Sequence, residues 1–431
     1  MDLDILIPIL TIVILAVLNC PLWISFTSGV MVYFLALHPE LVPQILAQRL
    51  VSVAEGTTYL AIPYFILAGS LMNYSGIGRR LMDLADGLVG HLAGGLGHVN
   101  IVLSMLMGGV SGSSAADAAM ECKILVPEML RKGYSKEFSA AVTLSSSMVT
   151  PIIPPGMGLI LFSFVTQTSV GKLLAAGYVP GLLCGLCFMI YVAWYAKKNN
   201  MGRAREKMCP PQELLKLTLD GSWALLMPFG LIMGLRFGLF TATEAGAFCA
   251  TYAFIVGKFI YRDLKMEHLW PVIKETLEGT ATVMMMAASA NVLSYYLTYE
   301  RIPQALSDFI LSMNLNGYTF MLLVVVVLLV IGMFMEASPA ILILGPLFTP
   351  IAVQLGIDPT HFGLVFCFCV AIGAMSPPFG VVLYQVASIT DCDLGKLIKT
   401  NMPFLFIMVG LAVLFVFIPQ IILFIPNLIY G

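Results

Sequence analysis

Charge is what this sequence has least of. Of 431 residues only 11% are Asp, Glu, Lys or Arg, where a soluble domain usually carries about a quarter. That scarcity, with 59% hydrophobic residues and a mean hydropathy of +0.94, excludes a soluble globule. The 22 basic against 24 acidic residues leave a net charge of -2, so no nucleic-acid partner is expected. Histidine is scarce, five in all, and the nine cysteines are scattered through apolar segments, which excludes a disulfide framework. Cys184-Gly-Leu-Cys187 lacks the second pair that a zinc site would need and reads as small packing residues. A basic leader and a small-residue cleavage site are missing as well: Met1-Asp2-Leu3-Asp4 is acidic, so the first apolar segment reads as a retained part of the fold.

What is present is a succession of apolar runs long enough to cross a bilayer. They cover 4–19, 22–37, 57–73, 137–163, 172–196, 222–240, 243–261, 281–297, 362–388 and 402–425, with two longer split regions at 88–130 and 304–352. Segments 38–54 and 262–278 are more polar and read as helices lying at the interface. A linker at 197–221 holds six basic residues and Pro210-Pro211. The expectation is an all-α polytopic membrane protein.

A constant offset of 223 residues superimposes the chain on itself. It carries Glu55-Gly56-Thr57 onto Glu278-Gly279-Thr280, Gly109 onto Gly332, Pro127 onto Pro350, Gly133 onto Gly356, Pro154-Pro155 onto Pro377-Pro378 and Pro180 onto Pro403. One register that fits glycines and prolines, the residues that set backbone shape, marks an internal repeat. Basic residues near span ends mark the cytoplasmic side. Placing the linker inside puts 17 of the 22 Lys and Arg there, against Arg49, Lys172, Arg236 and Arg301 outside and Lys123 within a split region. In that frame both split regions are re-entrant hairpins, the first from the cytoplasm and the second from outside. Both chain ends are then periplasmic, and the copies are inverted. Inverted-topology repeats with broken helices near the midplane are the architecture of secondary transporters.

The expected organisation follows. Residues 1–54 are N-terminal scaffold helices and an arm, and 55–196 hold the first transport elements, with hairpin 88–130 and broken helix 137–163. After the cytoplasmic linker 197–221, residues 222–278 repeat the scaffold and arm, and 279–431 hold the second hairpin 304–352 and broken helix 362–388.

Each copy offers two breaks. In the first they are the tip Ser111-Gly112-Ser113-Ser114-Ala115-Ala116-Asp117 and the run Ser145-Ser146 through Thr150 to Pro154-Pro155-Gly156. In the second they are Gly332 with Glu336-Ala337-Ser338, and Gly373-Ala374-Met375-Ser376-Pro377-Pro378. Consecutive prolines cannot continue a helix, so the freed carbonyls need partners. Unwound carbonyls and hydroxyls suit Na⁺, while half-helix N-termini suit a substrate carboxylate. The candidates for Na⁺ and substrate binding are therefore Ser111, Gly112, Ser113, Ser114, Asp117, Ser145, Ser146, Thr150, Pro154, Gly156, Gly332, Glu336, Ala337, Ser338, Gly373, Met375, Ser376 and Pro377. Asp117 and Glu336, ionisable residues beside the tips, could ligand Na⁺, bind a proton or pair with a neighbour such as Lys123. No catalytic residue and no cofactor beyond the coupling ion is expected.

The tip Gly-Gly-Val-Ser-Gly-Ser-Ser-Ala-Ala-Asp, the downstream Thr150-Pro-Ile-Ile-Pro-Pro-Gly and the later Ser376-Pro-Pro-Phe-Gly resemble the large membrane subunit of tripartite ATP-independent periplasmic (TRAP) transporters over nearly the whole chain. The resemblance implies an elevator-type, Na⁺-coupled importer in the bacterial inner membrane. It also implies a separate small four-span subunit and a soluble periplasmic protein that delivers an organic acid anion, of the sialic acid or C4-dicarboxylate class. Two alternatives are a stand-alone Na⁺/dicarboxylate symporter and an intramembrane serine protease. The second rests on Gly109-Val110-Ser111-Gly112, but His361, the nearest histidine in a later span, lies at the outer end of that span.

Overall fold

A computed structural model describes residues 3–18, 20–37, 44–108, 112–199, 201–312 and 315–430. Among them all regular structure is helical. The first half contains α1 (Leu3–Val17), α2 (Leu22–Val32), α3 (Gln44–Glu55), α4 (Ala61–Tyr74), α5 (Ile77–Val89), α6 (Gly95–Met107), α7 (Ser114–Arg131), α8 (Lys136–Ser147), α9 (Met157–Thr166), α10 (Val170–Ala176) and α11 (Tyr178–Lys198). The second contains α12 (Pro211–Arg236), α13 (Ala242–Ile255), α14 (Met266–Tyr299), α15 (Ile302–Ser312), α16 (Gly317–Phe334), α17 (Ala337–Gln354), α18 (Pro359–Met375), α19 (Val381–Thr390), α20 (Leu394–Phe417) and α21 (Pro419–Tyr430). Among the described residues, five helices are long and apolar enough to cross a membrane.

The 223-residue register governs the helix boundaries themselves. Helix α7 maps onto α17 residue for residue, Ser114 onto Ala337 and Arg131 onto Gln354. A π-helical turn follows α2 at Tyr33–Leu37, and its counterpart follows α13 at Val256–Ile260. Contacts between the halves are reciprocal: α4 packs on α13 as α14 packs on α2, and α7 packs on α19 as α17 packs on α9. Such pairing is what a pseudo-two-fold relation between two copies produces.

Hairpin 1 consists of α6 and α7 and hairpin 2 of α16 and α17. Their limits are narrower than the split regions. The first region opened at 88, at the end of α5, because Gly90 and the left-handed Gly94 (φ 78°) separate α5 from α6. The second opened at 304, inside α15, a separate helix that matches α5 in the repeat. The second polar arm and the span after it form one helix, α14, of 34 residues. At 1.5 Å per residue it is about 51 Å long, well beyond a hydrocarbon core of about 30 Å. Part of the linker, from Pro211 onward, likewise belongs to α12.

Helix α18 sits at the centre, buried at every position from Thr360 to Met375. Hairpin 2 and the broken helix α9 surround it, and Phe162, Phe320, Phe362 and Phe366 fill the space between with contacting rings. A second cluster ties α2 to α14 through Phe26, Phe34 and Tyr296, with the Tyr33 hydroxyl donating to Glu300.

Candidate functional site

Four helices begin at one place. Ser113 caps α7, Gly156 caps α9, Glu336 caps α17 and Gly380 caps α19. The residues just inside these caps, Ser114, Met157, Ala337 and Val381, line one cavity of about 170 Å³, together with Gly112, Ser113, Glu336 and Ser338. The first unpaired N–H groups of a helix and its partial positive charge lie at its N-terminus. Four such ends on one cavity make a cradle for an anion.

Local sequence explains the convergence. Helix α8 ends at Ser147, ahead of Pro151 and Pro154-Pro155, and α18 ends at Met375, ahead of Pro377-Pro378; each chain segment restarts after a glycine, Gly156 or Gly380. Gly112 adopts φ 59°, and a Cβ there would fall 2.6 Å from the Pro155 carbonyl oxygen. The tip can therefore lie against the unwound segment, and the Met157 N–H donates to the Gly112 carbonyl at 3.4 Å. In the other copy, Phe334 and Phe379 place their rings 5.0 Å apart. A second cavity of about 280 Å³ shares Ser113, Met157 and Ser338 and extends to Ser70 and Asn73 on α4 and to Glu275 on α14. There Ser70 and Tyr74 each donate to the Glu275 carboxylate at 2.6 Å.

The residues predicted from the sequence do not all meet at the cavity. Gly112, Ser113, Ser114, Glu336, Ala337 and Ser338 line the cavity. Ser111 lies outside the described residues. Others take part in buried contacts behind the tips. Thr150 donates to Asp117 at 2.6 Å, and Ser145 donates to Asn401 at 2.8 Å. Ser146 donates to Asn100 at 2.6 Å, Ser376 donates to the Ile372 carbonyl at 2.7 Å, and the Asn401 amide reaches the Met375 carbonyl at 3.5 Å. Pro154 and Gly156 are buried in the unwound segment, while Pro377 is half-buried. Gly332 and Gly373 form a close contact between helices instead of facing the cavity. Lys123 points outward and is exposed, away from the buried Asp117.

Three buried polar residues behind the first tip were not singled out: Asn100, Ser104 and Glu121. Glu121 lies one helical turn past Asp117, and that i, i+4 spacing was the signal available for it. In the text it sits beside Lys123 and before Glu128, where it looks like part of a solvated helix face.

A family model described as the DctM component of the tripartite ATP-independent periplasmic transporter matches residues 9–421. The chain belongs to that family. It is 37% identical to the 2,3-diketo-L-gulonate TRAP transporter large permease protein YiaN of Escherichia coli, over 88% of this chain and 89% of that one. To the C4-dicarboxylate TRAP transporter large permease protein DctM of Pseudomonas aeruginosa it is 36% identical, over 89% of each. To the sialic acid TRAP transporter large permease protein SiaM of Vibrio cholerae the figure is 35%, over 89% and 90%. The fold is similar to that of the YdaH transporter of Alcanivorax borkumensis, with a TM-score of 0.60 at 15% identity over 88% of each chain. As a TRAP large permease the chain is a transporter component.

Proposed function

We propose that this TRAP large permease imports an organic acid anion, coupled to Na⁺, by carrying both hairpins and both broken helices across the membrane as an elevator. The observation that carries the reading is the cradle of four helix N-termini around one cavity. The relatives named for 2,3-diketo-L-gulonate, C4-dicarboxylates and sialic acid share little beyond a carboxylate. A cradle of positive helix ends suits that common group. Unwound carbonyls and the hydroxyls of Ser113, Ser114, Thr150, Ser338 and Ser376 supply hard oxygen ligands of the kind Na⁺ takes.

The chain works in the bacterial inner membrane with both termini periplasmic. A small four-span subunit packs on its scaffold, and a periplasmic binding protein delivers the cargo. Movement of the tips relative to α4 and α14 would open and close the second cavity, which lies between them.

The test is uptake by the reconstituted complex in liposomes. Single Ala replacements of Ser113 and Ser338 should each lower Na⁺-driven uptake at least about tenfold, the equivalent of about 1.4 kcal/mol, with insertion unchanged. Uptake by this chain alone, without binding protein or small subunit, would instead show a stand-alone symporter. Uptake indifferent to Na⁺ would refute the coupling.

A further inference from the structure

The convergent helix ends leave the acidic face of α7 unexplained. Asp117 and Glu121 stand one turn apart where α7 packs on α6 and α8, and they are 1% and 0% exposed. Among the described residues neither is in an ion pair. The ionisable groups of the packed elements are engaged elsewhere or lie at a distance. His98 of α6 has its ring against the Ala93 carbonyl, and Lys136 at the start of α8 reaches Asp391. Glu137 is at the same end of α8, and α19 contributes only Tyr384, which is exposed. On α7 itself Lys123 is exposed, Glu128 pairs with Arg131, and Cys122 is buried.

Among the described residues, the groups hydrogen-bonded around the two carboxyl groups are neutral hydroxyls, carbonyls and an amide. Ser104 donates to Glu121 at 2.7 Å, and Thr150 donates to Asp117 at 2.6 Å while lying 3.3 Å from the Ser104 carbonyl. The Ser146 hydroxyl has three oxygens in reach: Asn100 Oδ1 at 2.6 Å, the Thr143 carbonyl at 3.1 Å and Glu121 Oε2 at 3.4 Å. The Asn100 amide is used on Thr143 at 2.7 Å. A hydroxyl has one hydrogen, so Ser146 cannot serve both the Asn100 and the Glu121 side-chain oxygens, while the Thr143 carbonyl belongs to the helical ladder of α8. Asp117 Oδ1 is fully buried and has no hydrogen-bond partner among the described residues. The cluster thus has more acceptor oxygens than hydrogens, and two carboxyl groups with no cationic side chain. Uncompensated carboxylates at such a site cost several kcal/mol each.

We propose that Asp117, Glu121, Ser104 and Ser146 form a Na⁺ site inside hairpin 1, behind the tip, with Glu121 as its inner carboxylate. It rests on the Na⁺-coupled reading but is separate from the cavity, since Glu121 is about 6 Å, one four-residue step, further along α7 than Asp117. One Na⁺ between the carboxylates halves the charge of the pair. The N-terminus of α7, whose first turn holds Asp117, adds roughly half a positive charge. The oxygens come from both arms of the hairpin and from α8, and Thr150 of the unwound run holds Asp117. An ion bound there therefore fastens hairpin 1 to the first broken helix.

The test uses the complete transporter complex, with Na⁺ exchanged for choline at constant ionic strength. Thermal unfolding, ²²Na⁺ binding and uptake are the readouts. Glu121→Gln should raise the half-saturating Na⁺ concentration about tenfold, remove about one ²²Na⁺ per complex and reduce the Na⁺-dependent rise in Tm. Ser104→Ala should act in the same direction, which keeps the proposal testable if the first variant does not fold. Wild-type Na⁺ affinity and stoichiometry in both variants overturns it. So does a cluster that takes up a proton instead: a Tm that follows pH at fixed Na⁺ in the wild type and loses that dependence in Glu121→Gln. If the Ser113 and Ser338 variants lose Na⁺ dependence while these two do not, the coupling stands and the inner site falls. A wild-type complex indifferent to Na⁺ removes both.

Discussion

A Cβ built on Gly373 would fall 2.4 Å from the Cα of Gly332, so α16 and α18 touch backbone to backbone. This contact fixes the outer arm of hairpin 2 against the central helix. Gly373→Ala has no flexible side chain to push aside, and overpacking of this kind costs about 1–3 kcal/mol. The variant should insert, unfold at lower temperature in detergent than the wild type, and lose uptake because the second tip is displaced. Gly410→Ala, where nothing lies within 4 Å of the added carbon, is the control that should behave as wild type.

Gly112 carries a different constraint. Its left-handed backbone and the nearby Pro155 carbonyl both exclude a side chain. Strain of about 1–3 kcal/mol falls on the tip and not on the rest of the fold. Gly112→Ala should therefore cut uptake by about tenfold or more while thermal unfolding of the complex changes little. A loss of stability as large as that of Gly373→Ala would show that the tip is part of the folding core.

The contrast between these two glycines bears on what the sequence could reveal. Both stood out as backbone-shaping residues in a polar break, and composition does not tell a tip glycine from a packing glycine. The repeat was legible because proline and glycine keep their places when apolar residues exchange freely. Its extension to the π-helical turns at Tyr33 and Val256 was not, since the aromatic and β-branched residues there share no pattern. Likewise α14 reads as two segments because Glu275 and Glu278 interrupt the hydropathy without interrupting the helix. Glu121 was hidden for the converse reason. Its burial depends on which face of α7 meets α6 and α8, and a helix with charges all round does not declare that.

Thr150 tests the unwound segment itself. Its hydroxyl donates to Asp117 at 2.6 Å. A buried hydrogen bond to a charged group is worth about 1.5–3 kcal/mol. Thr150→Val keeps the shape and deletes the donor, so Na⁺-driven uptake should drop by about tenfold or more. Thr150→Ser, which restores the hydroxyl, should recover most of it. Equal loss in both variants would mean that the methyl group matters and the hydrogen bond does not.

The linker between the halves supplies the last prediction. Arg205 bonds Asp86 of α5 at 2.6 Å and Glu213 of α12 at 3.0 Å, and its own N–H and that of Ala204 both donate to the Gly90 carbonyl at 3.0 Å. The Asp86 carboxylate, with Glu213 beside it, pushes the guanidinium above its already high range. The linker is thereby strapped to the base of hairpin 1. The groups are partly exposed, so screening limits the two ion pairs to about 1 kcal/mol together. Arg205→Ala should lower Tm by about 2 °C at low ionic strength, and the difference should shrink in about 0.5 M salt, where the Debye length is only a few ångströms. Arg205→Lys keeps the charge but loses the planar fork that spans two carboxylates, so it should recover only part of the loss. A deficit that salt leaves unchanged would assign the strap to its backbone hydrogen bonds to Gly90.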